Sequence, residues 1–261
     1  IAVGNKSLYN NTTGYQNVSV GNSALMNNIT GFENVAVGYR SLYSNTTASY
    51  NTAIGRMSLF SNTTGSGSTA LGTEALYSAT TEGSLTAIGY QAAKANTTGT
   101  GTVAIGHQAL TANTTGDYNT ATGYQALTAN TTGASNVAVG NYALDANTTA
   151  NNNVAIGYDA LRGSSATTSH RNIAIGSYTL DALSSNVGMD NIAIGYNAGT
   201  AITSGDDNVL MGYTAGDTLT TGAANTCIGY GSDVSAAGAS NQQVFGNGAV
   251  GHGDNIVVLG N

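Results

Sequence analysis

A glycine recurs every seventeen residues along most of the chain. It closes a short apolar phrase at Gly4, Gly21, Gly38, Gly55, Gly72, Gly89, Gly106, Gly123, Gly140 and Gly157. Two 19-residue steps then lead to Gly176 and Gly195, the 17-residue step returns to Gly212, Gly229 and Gly246, and a 14-residue step ends at Gly260. Sixteen copies of one unit imply a repeat architecture, in which each unit covers its neighbour's apolar face and none folds alone.

The columns of the repeat say which kind. The residue before the glycine is Val, Ile or Leu in nearly every copy (Val3, Val20, Val37, Ile54, Leu71, Ile88, Ile105), and the one three before it is Val, Ile or Thr. Period-two alternation of β-branched residues about a small one predicts a strand of three to four residues. Four residues after the glycine stands Leu in ten of the first eleven units, with Ala93 as the exception, and this predicts a second short strand returning to the same core. Asn-Thr-Thr-Gly at 62–65, 96–99, 113–116 and 130–133 supplies the backbone freedom of a corner. A helix is excluded by the density of Gly, Thr and Asn. The expected fold is all-β: a parallel β-solenoid, or β-roll, of about sixteen two-strand coils, spanning roughly 75 Å at ~4.8 Å per coil.

In-register stacking produces ladders. Asn17, Asn34, Asn51, Asn119, Asn136, Asn153, Asn172, Asn191, Asn208 and Asn225 all precede the glycine by four residues, and superposed amides can bond along the axis. Like charges in one column would repel in every coil, and only 7% of the residues are charged, against roughly 25% in ordinary soluble proteins.

The core expected from this pattern holds one Leu and two β-branched residues per coil. The opposite strand face would then be a column of alanines, Ala36, Ala53, Ala70, Ala87, Ala104, Ala121, Ala138, Ala155, Ala174 and Ala193. Solvated strands normally carry polar residues there, so this face is expected to meet copies of itself about a symmetry axis. A monomeric solenoid with a flat alanine face is the alternative.

Other classes find little support. The net charge of −7 includes no basic stripe, which argues against nucleic acid. No apolar run approaches the ~20 residues of a membrane-spanning helix. The chain opens mid-phrase at Ile1-Ala2-Val3-Gly4, so it is expected to be a piece of something longer, and a missing leader carries no information. A single cysteine, Cys227, leaves no intrachain disulfide; in the alanine column it reads as a small buried hydrophobe. His107, His170 and His252 fall at unrelated points of the repeat. The thirteen acidic residues are scattered over the sixteen coils, with Asp190 and Asp206-Asp207 in inserted or corner positions, and the sequence offers no paired-carboxylate constellation. We therefore expect no catalytic residue, no metal site and no cofactor.

Two columns invite a surface role. Tyrosine follows the glycine at Tyr39, Tyr90, Tyr124, Tyr158, Tyr196, Tyr213 and Tyr230. Such a row either stacks on sugar rings or anchors a protein partner, or else it covers the edge of the core. A shorter aromatic column runs through Tyr9, Tyr43, Phe60 and Tyr77. Asn-x-Thr sequons recur at Asn11, Asn28, Asn45, Asn62, Asn96, Asn113, Asn130 and Asn147; a glycan column is the literal reading, and a corner turn the more economical one.

The phrase NVAVGNYAL, together with NTTG, resembles the head repeats of YadA-like trimeric autotransporter adhesins, which are left-handed parallel β-rolls. Phrases in the style of NTAIGYQAL are similar to the repeat regions of phage tail fibres. The final NQQVFGNGAVGHGDNIVVLGN resembles the end of such a region before a neck or C-terminal chaperone module. The resemblance covers essentially the whole chain, although the family's usual repeat is shorter. It implies a parallel homotrimer at a cell or virion surface, working as an adhesin or receptor-binding shaft with a glycan or protein receptor. Regular repeats occupy 1–161 and variant repeats 162–261, with a seam around 162–195. From Gly195 onward the Leu column becomes Gly199 and Gly216, nearer the familiar phrase. Two rivals are weighed. Paired Thr at 46–47, 63–64, 80–81, 97–98, 114–115, 131–132 and 148–149 could order water as in an ice-binding solenoid, and a tailspike could use this segment as a non-catalytic shaft. Bacterial or viral origin stays open.

Overall fold

The computed structural model describes residues 1–163, 169–183 and 188–260. Residues 164–168 and 184–187, which include part of the expected seam, lie outside the described residues. The chain divides into two compact units, Ile1–Thr132 and Gly133–Asn261, so the sequence seam falls within the second unit.

The first unit carries β1 (Ala2–Val3), β2 (Val18–Val20), β3 (Val35–Val37), β4 (Thr52–Ile54), β5 (Thr69–Leu71), β6 (Thr86–Ile88), β7 (Val103–Ile105) and β8 (Thr120–Thr122). The second carries β9 (Val137–Val139), β10 (Val154–Ile156), β11 (Ile173–Ile175), β12 (Ile192–Ile194), β13 (Val209–Met211), β14 (Thr226–Ile228), β15 (Gln243–Phe245) and β16 (Val257–Leu259). Within each unit the strands pair in parallel and in sequence order, one per coil, which is a β-solenoid. The register is the repeat itself: Ala36 pairs with Ala53 and Ala53 with Ala70. The 19-residue steps keep it, Ala155 pairing with Ala174 and Ala174 with Ala193. No helix occurs among the described residues.

The expected second strand is not one. Leu25, Leu42 and Leu59 have φ of 49°, 48° and 48°, in the left-handed region, and lie within runs of turns. Each turn still bonds coil to coil as a strand would. The Leu25 and Leu42 N–H groups donate to the Ser41 and Ser58 carbonyls at 2.9 and 3.0 Å, and the Arg40 N–H reaches back to Asn22 at 3.0 Å. A left-handed Leu costs roughly 1–2 kcal/mol. Burying its side chain returns about 1.5–3 kcal/mol, and these leucines are fully buried. The turn is therefore an affordable way to bring Leu inside.

The alanine column also faces the other way from the expectation. All ten residues from Ala36 to Ala193 are fully buried within the single chain, so this column is not a surface that a sister chain can cover. The flanking strand residues point outward and are half-buried or exposed. A regular coil encloses two alanines and one leucine, as Ala104, Ala109 and Ala126 do beside Leu110 and Leu127. It also encloses two asparagines, such as Asn113 and Asn119. The cross-section of a 17-residue coil has room for methyl groups opposite leucine; two branched side chains more would overpack it.

The ruler glycine is where backbone geometry leaves no choice. Gly55 has φ of 138°, and a Cβ there would lie 2.6 Å from the Gly72 carbonyl carbon in the next coil. Only glycine combines that conformation with so close an approach.

Candidate functional site: the outward sheet face and the aromatic ladders

Among the described residues no group of three His, Cys, Asp or Glu side chains is placed to hold a metal. His107 lies between two tyrosine rings. His170 accepts a hydrogen bond at Nδ1 from the Asn151 N–H at 2.8 Å, and His252 is exposed. Cys227 sits in the inward column, fully buried; burial, with a smaller contribution from nearby Asp233, pushes its thiol up to about 12. A thiol so held is inert. No helix of the described residues is long and apolar enough to cross a membrane.

The charges pair locally. Glu74 accepts from Lys94 and Arg56 at 2.8 Å each and from Gln91 Nε2 at 3.0 Å. The Lys94 ammonium, then Gln91, outweigh burial and hold its carboxyl down at about 2. Gln108 donates to Gln91, and Gln125 to Gln108, so one acid caps a column of stacked amides. In the second unit Arg162 pairs with Asp159 at 3.1 Å and with Asp145 at 3.6 Å, and lies over the Tyr142 ring.

The expected asparagine ladder forms, and a second one forms beside it. In the second unit the Asn153, Asn172, Asn191, Asn208 and Asn225 N–H groups each donate to the Oδ1 one coil back, at 2.9–3.1 Å. Side-chain amides add bonds of their own, Asn208 Nδ2 donating to Asn191 Oδ1 and to the Gly222 carbonyl. The corner asparagines make a second ladder: Asn28 to Asn11, Asn45 to Asn28 and Asn113 to Asn96, each at 2.7 Å. Asn28, Asn45, Asn62, Asn96, Asn113, Asn130 and Asn147 are fully buried. A glycan on them is incompatible with this fold, which decides for the corner-turn reading.

The threonine pairs do not act as pairs. The first hydroxyl of several is spent on the next coil, as Thr46 on the Thr63 carbonyl, Thr97 on Thr114 and Thr114 on Thr131, at 2.8–3.1 Å. Only the second column, through Thr47, Thr64, Thr81, Thr98, Thr115 and Thr132, is exposed. One column wide, it lacks the two-dimensional spacing that a flat ordered-water array requires.

What lies open instead is the outward sheet face and the aromatic row beside it. In the first unit Ile54, Leu71 and Ile105 are 36–43% exposed, and in the second Val139, Ile156, Met211 and Ile228 are 36–38% exposed. The expected tyrosines Tyr39, Tyr90, Tyr124, Tyr158, Tyr196, Tyr213 and Tyr230 are all exposed too. Most of their ring faces are occupied by a neighbouring ring or guanidinium. Tyr196–Tyr213 and Tyr213–Tyr230 stack with centroids 5.4 and 5.0 Å apart and planes within 12°. Tyr90 and Tyr124 stack on the two sides of His107. Tyr39 lies under the Arg40 guanidinium, which also reaches Tyr43. Stacked rings offer a ligand edges and hydroxyls, with little free face for a sugar to lie on.

Reading by a single column missed three members of these ladders. Tyr142 and Tyr178 stand two residues after their glycines, yet complete a continuous row Tyr142–Tyr158–Tyr178–Tyr196 with centroids 5.4–6.2 Å apart. His107 holds a tyrosine position. Accepting any ring within two residues of the glycine would have found all three. The second column forms the stack Tyr43–Phe60–Tyr77, and a third, unexpected one forms Tyr15–Phe32–Tyr50.

Compared with protein-family models and with curated proteins, the sequence matches none.

Proposed function

We propose that this chain is a rigid, non-catalytic segment of an extracellular fibre, on a cell or virion surface, that assembles with parallel copies of itself and serves attachment. The observation that carries the proposal is the ribbon of outward β-branched side chains repeated coil after coil in both units. Threonine takes some of those positions, as at Thr52, Thr69, Thr86, Thr120 and Thr122. But exposed Ile54, Leu71, Ile105, Val139, Ile156, Met211 and Ile228 recur where a solvated sheet would be polar, and exposed apolar surface that recurs in this way marks an interaction face. The interface assigned to the alanines from sequence thus moves to their neighbours: Val35 and Val37, Ile54, Val103 and Ile105, Val154 and Ile156. Three chains are the proposed number, following the sequence resemblance. Coil-to-coil bonding through strands, turns and amide ladders supports the rigidity that a spacer needs. A surface glycan or protein receptor is the proposed partner, engaged at the edges and hydroxyls of the tyrosine row.

Sedimentation equilibrium tests the assembly. The expected mass is three times the 26.0 kDa of one chain, falling towards one chain when Ile54 and Ile105 are both replaced by Lys. A stable wild-type monomer would remove the proposal. Thermal hysteresis is expected to be absent; a positive result would favour the ice-binding alternative.

A further inference from the structure

We propose that the tyrosine row of the second unit is a site of oxidative cross-linking, at which one-electron oxidants of the peroxide-driven class join successive coils through dityrosine. The inference rests on the ladder's composition and spacing, and is independent of the fibre reading. Tyr142, Tyr158, Tyr178, Tyr196, Tyr213 and Tyr230 follow one another along six consecutive coils, every neighbouring pair with centroids 5.0–6.2 Å apart. In the ring stacks of the first unit described above, a phenylalanine or a histidine separates the tyrosines. Tyr15 and Tyr50 flank Phe32, Tyr43 and Tyr77 flank Phe60, and Tyr90 and Tyr124 flank His107. The second unit therefore sets phenol directly beside phenol, with Tyr196, Tyr213 and Tyr230 exposed to a diffusing oxidant.

The chemistry balances simply. Each of two adjacent phenols gives one electron to the oxidant and its O–H proton to water, leaving two phenoxyl radicals with spin density at the ring carbons ortho to oxygen. A carbon–carbon bond forms between two ortho carbons, and the hydrogens on those carbons shift to the oxygens as both rings regain aromaticity. The pair loses two electrons and two protons in all, while one hydrogen peroxide is reduced to two waters. Ring-to-ring contact, stacked at Tyr196–Tyr213–Tyr230 and edge-to-face before it, keeps the radicals adjacent without any approach of separate molecules. The product ties together residues 17 apart in sequence, Tyr196 to Tyr213 or Tyr213 to Tyr230.

The test is treatment of the full chain with a peroxidase and hydrogen peroxide, followed by peptide mapping for linked peptides two hydrogens lighter than their sum. A mixture of isotopically light and heavy chains separates links within a chain from links between chains. Links within a chain at Tyr196–Tyr213 and Tyr213–Tyr230 are expected to exceed severalfold any link involving Tyr9 or Tyr39. Exposure alone would favour Tyr9, at 68% against 47% for Tyr213. Tyr213→Phe keeps the ring in the stack but removes the oxidisable hydroxyl, so both links should disappear while circular dichroism stays unchanged. Links that follow exposure, links mainly between chains, or links at Tyr230, whose neighbour in the row is Tyr213, surviving in Tyr213→Phe at the wild-type level would each overturn the proposal.

Discussion

Leu210 occupies the space that a side chain at Gly216 would need: a Cβ on Gly216 would lie 2.6 Å from Leu210 Cδ2, and one on Gly199 2.8 Å from Leu210 Cδ1. Leu210 stands in the inward strand column that alanine fills in most coils, and Gly199 and Gly216 stand in the column of the turn leucines. In this coil leucine fills the core from the strand side instead of from the turn. Gly216→Leu should therefore cost about 1–3 kcal/mol by overpacking, and Leu210→Ala about 2–5 kcal/mol by leaving a cavity. Combined, they should cost clearly less than the sum, because the regular arrangement is restored. Thermal or denaturant unfolding of the four chains measures the coupling, and strict additivity would show that the two sites do not share one space.

The corner amide ladder has a gap. Asn62 Oδ1 is buried without a hydrogen-bond partner, and the residue one coil on is Ala79 where its neighbours have asparagine. Ala79→Asn should place an amide against Asn62 Oδ1 and stabilise the chain by about 1 kcal/mol. An unchanged unfolding midpoint would mean that the orphaned oxygen costs nothing.

Acid should weaken the Glu74 hub. Its carboxyl is held at about 2, against an ordinary 4.5, chiefly by Lys94. A depressed carboxylate contributes stability that is fully present above the unfolded value and is lost as pH falls from about 4.5 towards 2. Glu74→Gln should flatten stability against pH across that window, with the difference from wild type largest at neutral pH. Parallel curves for the two chains would show that the pairing is energetically silent.

Cys227 should be invisible to thiol reagents in the folded chain. Its burial and raised pKa leave almost no accessible thiolate at pH 8, so labelling should appear only on denaturation. Rapid labelling of the native chain would place the inward column at the surface.

Most of the architecture was legible because the glycine spacing fixes register, and register fixes the ladders: Asn208 on Asn191, Ala53 on Ala36. Two things were not. Alternation along Val103-Ala104-Ile105 is symmetric, and it shows that two faces differ without saying which one is inside. The choice depends on coil cross-section, which admits alanine opposite Leu110 and expels the branched pair. The leucine column, likewise, reads as a strand because leucine rarely takes positive φ; only stacked coils that bond and bury it make that conformation affordable. In the aromatic row the column of tyrosines was visible. Its ring-to-ring contacts, and the entry of Tyr142 and Tyr178 from a neighbouring position, depend on side-chain direction that spacing does not contain.

The outward face decides between a free solenoid and an assembled one. Three variants in a Cys227→Ala background, Val103→Cys, Ala104→Cys and Ile105→Cys, sample one strand of it. Maleimide labelling, followed across protein concentrations alongside sedimentation, reads inside, outside and interface together. Ala104→Cys is expected to stay unlabelled at every concentration, while Val103→Cys and Ile105→Cys are protected when assembled and labelled on dilution to single chains. Labelling at 103 and 105 that is fast at all concentrations, in a chain that sediments as a monomer, would contradict the self-assembling shaft.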